Sequence, residues 1–77
     1  MSNHLLRRSR ARRGLLPALA KAIRLEAQVT LAEVGQALCV TKSAVSRWES
    51  GARKPRGPVA DRYAALLSRL ESEVRRG

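Results

Sequence analysis

Apolar residues recur every three or four positions from about residue 16 to residue 74, and no segment alternates with the period of two that marks a β-strand. Turn-forming residues divide this stretch into four helical segments. The pattern therefore predicts a compact all-α domain over residues 15–77, with four helices, or five if the last one is broken. Residues 1–14 are polar and Arg-rich, carry too few apolar side chains to order themselves, and predict a flexible N-terminal arm.

The first helix is predicted to begin near Leu16 and Pro17, because proline suits the first helical turn, where its missing N–H has no partner in any case. Gln28 and Val29 are expected to leave the helix. The apolar positions in between recur at helical spacing and comprise Leu16, Leu19, Ala20, Ile23 and Ala27.

The second helix is predicted to begin just after Thr30. This residue is a good N-cap, and Glu33 three residues later completes a capping box, T-L-A-E, in which each side chain hydrogen-bonds to the other residue's backbone N–H. The helix is expected to reach about Leu38. Its inward-facing residues are then Val34, Ala37 and Leu38.

A third helix is predicted after a short turn at residues 39–40. Thr41 is its expected N-cap, and Gly51 is expected to end it, as glycine commonly does. Val45 and Trp48 lie three residues apart and are expected to face inward. The tryptophan is therefore interpreted as a core anchor and not as a base-stacking group.

The last helix is predicted to begin at Pro58, after a loop over residues 52–58, and to reach the mid-70s. Its apolar positions are Val59, Tyr63, Leu66, Leu67, Leu70 and Val74. Leu66, Leu70 and Val74 recur every four residues and predict a second apolar face that a thin domain core does not need. A two-fold partner is the simplest cover for that face, so this helix predicts a homodimer.

The chain carries a formal net charge of +10, from sixteen basic residues against six acidic ones. The excess lies in residues 1–16, with +5, and in residues 41–56, with +4, whereas residues 17–40 are neutral. Two basic segments of this kind predict a polyanionic partner: DNA, RNA or an anionic membrane surface. A membrane is disfavoured, because the basic and apolar residues do not share one long amphipathic helix and no apolar run approaches the ~20 residues of a span.

Candidate catalytic and metal-ligating groups are few. The single cysteine, Cys39, leaves no intramolecular disulfide, and with the single histidine, His4, it cannot supply the four ligands of a structural zinc site. The thiol is interpreted as partly buried in the turn, without a redox role. No acid–base pair or nucleophile–base pair stands out, so we expect no enzyme, no metal and no cofactor. A cytoplasmic protein without a signal peptide is expected.

The second and third helices, joined by a short turn and followed by a basic loop, form a helix-turn-helix arrangement. In this arrangement the first helix of the pair holds the second at a fixed tilt, so that its outward face can enter the major groove of DNA. With Val45 and Trp48 facing inward, the outward residues near the start of the third helix are Lys42, Ser43, Ser46 and Arg47. Their side chains suit base edges and phosphates.

The stretch T-L-A-E-V-G-Q-A-L-C-V-T-K-S-A-V-S-R-W-E-S-G-A-R-K-P resembles the Cro/phage-repressor, or Xre-like, helix-turn-helix family. Its most specific part is V-T-K-S-A-V-S-R-W-E-S-G-A-R-K-P, where that family typically shows V-S-x-S-x-V-S-x-W-E-x-G-x-x-x-P. The resemblance covers roughly residues 18–70. It implies a domain that binds double-stranded DNA sequence-specifically and regulates transcription.

The resemblance also implies roles for individual residues. Arg24 matches a first-helix arginine that pairs with the glutamate at Glu49 and reaches a phosphate, and Tyr63 and Leu67 match positions that pack on the first three helices. The base-reading positions that the family implies are Lys42, Ser43 and Arg47, and Ser46 is added because it lies on the same outward face. The phosphate-binding positions are Arg24, Thr30, Thr41, Ala44, Arg53 and Lys54. The resemblance does not extend to the arm, which is either a solvated tail or a further DNA contact. Its candidate residues, expected to contact phosphates or to enter the minor groove, are Arg7, Arg8, Arg10, Arg12 and Arg13.

Three positions depart from the family pattern. Leu31 replaces a glutamine that touches the DNA backbone, so that contact is expected to be lost. Gly35 replaces an alanine, which costs up to about 1 kcal/mol of helix propensity. Cys39 replaces a turn glycine and is expected to be strained by about 1 kcal/mol or more if its φ is positive.

Two functions fit these features. The first is a phage or mobile-element repressor that binds a palindromic operator as a homodimer. The second is the antitoxin of a toxin–antitoxin pair, which would autoregulate its operon and bind a protein partner, the toxin. A neighbouring toxin-like gene would favour the second function.

Overall fold

In the computed structural model, residues 16–76 are described, and they form four helices without a strand. We label them α1 (Pro17–Glu26), α2 (Leu31–Leu38), α3 (Lys42–Ser50) and α4 (Pro58–Arg76). The all-α prediction is confirmed, and the helix bounds agree with those expected from the caps. The predicted arm, residues 1–14, lies outside the described residues.

One apolar core joins the four helices. α3 packs against α1 and α2, and the long α4 closes the domain by packing against the same two helices. Trp48 and Tyr63 meet in the core with ring centroids 4.9 Å apart and planes tilted by 47°, so the tryptophan is confirmed as a core anchor. The buried apolar residues are Ala20, Ile23, Val34, Leu38, Val45, Trp48, Tyr63, Leu67 and Leu70.

The inward position predicted for Ala37 in α2 is wrong, and one periodic apolar residue of α1 is not buried. Leu16 is the N-cap of α1 and is 52% exposed, because it precedes the first turn of the helix. Ala37 is exposed, whereas Gly35 is buried. The buried face of α2 is rotated toward Gly35 because the turn into α3 crosses the helix at that point.

The predicted second apolar face of α4 is also largely wrong. Leu70 is only 8% exposed and belongs to the core together with Leu67. Leu66 is partly buried against the same core, and Val74 is half-buried. α4 is 19 residues long and lies across both α1 and α2, so one domain covers more of its apolar surface than helical spacing alone suggested.

The turn between α2 and α3 contains a strained residue. Cys39 is the C-cap of α2 and has the left-handed conformation, φ 59° and ψ 42°, that L-residues adopt reluctantly. The condition on which strain was expected here, a positive φ, is therefore met. The predicted partial burial is wrong, because the turn carries the Cys39 side chain outward into an exposed position.

Candidate nucleic-acid interface

The N-termini of α2 and α3 are both fixed by threonine caps. In α2, the backbone N–H of Thr30 donates to Glu33 Oε1 at 2.8 Å, and the backbone N–H of Glu33 donates to Thr30 Oγ1 at 3.0 Å. The backbone hydrogen bond from Thr30 lowers the pKa of Glu33. In α3, the backbone N–H of Ala44 donates to Thr41 Oγ1 at 3.1 Å. Both predicted caps are confirmed, and they set the starting points of the helix-turn-helix pair.

The turn into α3 packs closely against Gly35. The backbone N–H of Val40 donates to the carbonyl of Gly35 at 2.8 Å. A Cβ placed on Gly35 would lie 2.7 Å from the Val40 carbonyl oxygen and 3.2 Å from the backbone nitrogen of Lys42. The missing side chain of Gly35 therefore lets the start of α3 approach α2 more closely than an alanine would without a shift of the turn.

The inward face of α3 carries a buried ion pair with α1. Arg24 Nε donates to Glu49 Oε2 at 2.6 Å, and its Nη2 donates to Oε1 at 3.0 Å. Its Nη1 donates to the carbonyl of Val29 at 2.9 Å. The two charged side chains are 10% and 6% exposed, respectively. This confirms the pairing and shows that Arg24 ties α3 to both α1 and the connection before α2.

Arg24 of the buried pair and the neighbouring Tyr63 have shifted pKa values. The hydrogen bond to Glu49 raises the pKa of Arg24, so the arginine stays charged. Burial raises the pKa of Tyr63 to about 12, with a further contribution from the negative charge of Glu49. The Tyr63 hydroxyl is buried and finds no hydrogen-bond partner among the described residues. The tyrosine is thus a neutral core group, and the charge of this region resides in the bidentate pair.

The outward face of α3 differs from the inward face in chemistry. All four residues predicted to read bases lie within the first two turns of α3, and each of them is exposed. None of these four side chains is a partner of Arg24 or Glu49, whose hydrogen bonds join α1 to α3. The structure therefore brings together one polar face, formed by Lys42, Ser43, Ser46 and Arg47.

Beside this face lies a concave surface of about 740 Å³ that we call the cationic concavity. It is formed by one side of α3, from Thr41 to Trp48, and by the loop over residues 51–56. No acidic residue lines it. Its basic residues are Arg47, Arg53, Lys54 and Arg56.

Arg56 was missed by the sequence reasoning, which stopped at Lys54. The signal was present in the loop A-R-K-P-R-G-P, where Arg56 follows Pro55. Proline has a fixed φ, so it redirects the loop without adding flexibility. Only the folded loop shows that the residue beyond Pro55 lines the same concavity as Arg53.

The six residues predicted to bind phosphate divide between two surfaces. Thr41, Ala44, Arg53 and Lys54 line the cationic concavity. Arg24 and Thr30 instead line a second hollow of about 490 Å³, together with Lys42. The outward face of α3 therefore borders both surfaces, with Arg47 at the first and Lys42 at the second.

The second hollow is mainly apolar. Leu31, which replaces the family's glutamine, lines it and packs partly against the core. Leu25 lines it too and is 55% exposed. Arg24 has only its remaining N–H groups free here, since Glu49 and the Val29 carbonyl take three of its donors.

Five of the predicted DNA contacts lie outside the described residues. They are the arm residues Arg7, Arg8, Arg10, Arg12 and Arg13. The chain enters the described region at Leu16, which lines a small hollow together with Arg53, Lys54 and Pro55. The first described residue therefore lies next to two of the basic residues of the cationic concavity.

Comparison with known families gives one match. The family model described as helix-turn-helix matches residues 21–74, which contain both faces of α3, the turn and most of α4. Comparison with curated proteins and with solved structures gives no match. None of the helices within residues 16–76 combines the length and apolar character required to cross a bilayer.

Proposed function

The chain belongs to the helix-turn-helix family of the Cro/phage-repressor type, and we propose that it is a transcriptional repressor of phage or mobile-element type that reads a palindromic operator. Proteins of this family bind DNA sequence-specifically and regulate transcription. The observation that carries the proposal is the exposed polar face of α3 beside the cationic concavity. A recognition helix needs this combination, because base edges specify the sequence while phosphates position the protein.

The chemistry of the outward face favours sites that contain guanine. An arginine can donate two hydrogen bonds to O6 and N7 of guanine, and a lysine can donate to the same acceptors. Arg47 and Lys42 both belong to this face, at its two ends. Ser43 and Ser46 are short and can donate or accept, so they add contacts without blocking the approach of the helix.

The cationic concavity supplies the phosphate contacts in this proposal. Its three loop cations, Arg53, Lys54 and Arg56, are exposed and can each neutralise a phosphate as the duplex passes the loop. The five arginines of the arm add further phosphate contacts in this proposal, because they carry positive charge without an acidic residue among residues 1–14. Deletion of residues 1–13 then flattens the salt dependence of binding by about 0.9 log units for each phosphate contact that is lost.

The first test is a selection of bound duplexes from random DNA, followed by titration of variants on the selected site. Arg47→Ala is expected to cost about 1–3 kcal/mol on that site and to relax the preference at one or two base pairs. Arg69→Ala is the matched control, because Arg69 is an exposed arginine on α4 and its removal changes the charge equally. Equal losses for Arg47→Ala on selected and random duplexes would reduce Arg47 to a phosphate contact.

A palindromic operator requires two copies of the protein. Two recognition helices about 34 Å apart, one turn of DNA, would read the two half-sites. The apolar surface left for a two-fold contact on α4 is smaller than the sequence suggested, since Leu70 is buried and only Leu66 and Val74 keep part of their surface exposed. Val74→Glu is therefore the appropriate variant, and a two-to-one protein–operator stoichiometry that it lowers to one-to-one would support the dimer.

The apolar hollow at Leu25 is the observation that favours the second candidate function, an antitoxin. A 55%-exposed leucine beside Leu31 and Val29 offers a surface for a protein partner. Co-expression with the product of the adjacent gene tests this candidate. Growth rescue that is lost in Leu25→Glu but kept in Arg47→Ala would support an antitoxin whose toxin contact at Leu25 does not depend on base reading by Arg47.

A further inference from the structure

The last residue of α2 has a hydrogen-bond partner on α4 that neither the sequence nor the family resemblance assigns. Arg62 Nη2 donates to the carbonyl oxygen of Leu38 at 3.2 Å, across 24 residues of chain. Carbonyl groups at the end of a helix lack intrahelical partners and carry the negative end of the helix dipole. A guanidinium group therefore suits this position in both hydrogen bonding and charge.

The turn that follows Leu38 is short and strained, so the end of α2 has to be held in place. Cys39 has φ 59° without being glycine. Two backbone hydrogen bonds close the turn, from Cys39 N to the Gln36 carbonyl at 3.3 Å and from Val40 N to the Gly35 carbonyl at 2.8 Å. The chain then passes directly into Thr41, the N-cap of α3. Any rotation of the end of α2 is thus transmitted to the start of the recognition helix.

Arg62 is well anchored for this role. The next residue, Tyr63, is 2% exposed and packs against Trp48 of α3. The backbone of α4 is therefore fixed by the core at the point where Arg62 leaves it. A long side chain that starts from a fixed backbone and ends on a helix carbonyl acts as a brace between the two elements.

We propose that Arg62 is a positioning residue for DNA reading: its guanidinium group holds the end of α2 against α4 and so fixes the direction in which the turn presents Lys42 and Ser43. The effect of Arg62 on DNA reading rests on the proposed function. Its effect on the turn between α2 and α3 does not, so the two effects are measured separately.

The test compares Arg62→Ala with Arg69→Ala. Both substitutions remove one positive charge from an exposed position of α4, seven residues apart, and they differ in the hydrogen bond to Leu38. Both are expected to weaken binding to random duplex DNA by the same small factor. On a selected site, Arg62→Ala is expected to lose up to a further tenfold in affinity, because restoring the turn on binding cannot cost more than the hydrogen bond contributed, about 0.5–1.5 kcal/mol. Arg62→Lys retains the charge and one donor, and is expected to recover most of that loss.

The measurement that does not involve DNA is amide hydrogen exchange in the turn. The amides of Cys39 and Val40 are expected to exchange faster in Arg62→Ala than in Arg69→Ala, whereas the buried amide of Val45 exchanges equally in both. If Arg62→Ala melts too low for binding assays, the same comparison is made at low temperature with Arg62→Met and Arg69→Met, which keep an apolar side chain but lack the guanidinium group.

The possible outcomes distinguish the brace, its effect on DNA reading and the proposed function. Equal turn exchange in the two alanine variants would overturn the brace itself. Faster exchange with an unchanged preference for the selected site would overturn the positioning role and leave a purely local hydrogen bond. A wild-type protein without preference for any sequence would contradict the proposed function, and the exchange data would still decide whether Arg62 braces the turn.

Discussion

The two faces of α3 use charge in opposite ways. On the inward face, Glu49 is paired with Arg24 through two hydrogen bonds and is almost completely removed from water. On the outward face, Lys42 and Arg47 are exposed and are not engaged with acidic side chains. One short helix of nine residues therefore carries an architectural charge on one side and available charges on the other.

The difference shows what each environment allows. A buried charge is tolerated only when it is paired and hydrogen-bonded, so it fixes geometry and cannot serve a ligand. An exposed charge contributes little to folding but remains free to exchange its counterions for a phosphate or a base edge. Substitutions on the inward face should therefore change the orientation of α3, whereas substitutions on the outward face should change only its contacts with DNA.

The largest effect is expected from breaking the inward pair. Glu49→Ala leaves the guanidinium group of Arg24 buried without its partner, so the free energy of unfolding should fall by about 3–5 kcal/mol, as measured by urea unfolding. DNA affinity should fall too, because α3 loses its tie to α1. Glu71→Ala is the control, since it removes only the exposed contact with Arg75 at 3.7 Å and should change stability by less than about 1 kcal/mol. Wild-type stability and affinity in Glu49→Ala would contradict the architectural role.

The next largest effect is expected from the salt concentration, which should change DNA affinity but not the contribution of the inward pair to stability. If Arg53, Lys54 and Arg56 each neutralise one phosphate, the slope of log affinity against log salt is about −2.7, which is ~40-fold between 50 and 200 mM. The stability difference between the wild type and Glu49→Ala should hardly change over this range, because the pair is shielded from ions. Fluorescence anisotropy and urea unfolding at matched salt concentrations measure both. A DNA affinity that is independent of salt would contradict the role of the outward charges.

Gly35 tests how the start of α3 is held on the inward side. Gly35→Ala forces a methyl group against the Val40 carbonyl oxygen at 2.7 Å, and the expected net loss of stability is about 1–2 kcal/mol although alanine is the better helix former. At the exposed position of Ala37 in the same helix, the opposite substitution Ala37→Gly should cost up to about 1 kcal/mol through propensity alone. Thermal unfolding of both variants makes the comparison. A stabilised Gly35→Ala variant would mean that the turn can move away without loss.

The smallest effect is expected from Tyr63→Phe, next to the pair of Arg24 and Glu49. The Tyr63 hydroxyl is buried without a partner, so Tyr63→Phe should be as stable as the wild type or up to about 1 kcal/mol more stable. DNA binding should not change, because the aromatic contact with Trp48 is retained. A loss of more than about 1 kcal/mol would show that the hydroxyl has a hydrogen-bond partner in solution, such as an ordered water molecule.

The local elements of this fold were predictable from the sequence because each depends on a few neighbouring residues. Thr30 and Thr41 cap the helices that follow them, since a side-chain oxygen reaches the backbone N–H three residues later whatever the rest of the chain does. Gly51 ends α3 with φ 81° for a similarly local reason. The outward polar face of α3 followed as soon as Val45 and Trp48 were placed inward. The pairing of Arg24 with Glu49 came from the family resemblance and not from spacing.

Tertiary structure alone decided the features that depend on the angles and distances between helices. Helical spacing cannot show that the turn crosses α2 at Gly35 and leaves Ala37 in solvent, or that α4 covers Leu70 within one domain. It also cannot place Arg56 in the same concavity as Arg47, or Arg62 on the last carbonyl of α2. The sequence by itself determined which residues are helical and which face of α3 is polar, because hydrophobic periodicity and capping act over three to four residues. The close approach at Gly35 depends on the angle at which the turn through Val40 to Lys42 leaves α2. The depth of burial and the brace from α4 arise only when segments 20 or more residues apart are packed together, because only then do their side chains exclude water from one another.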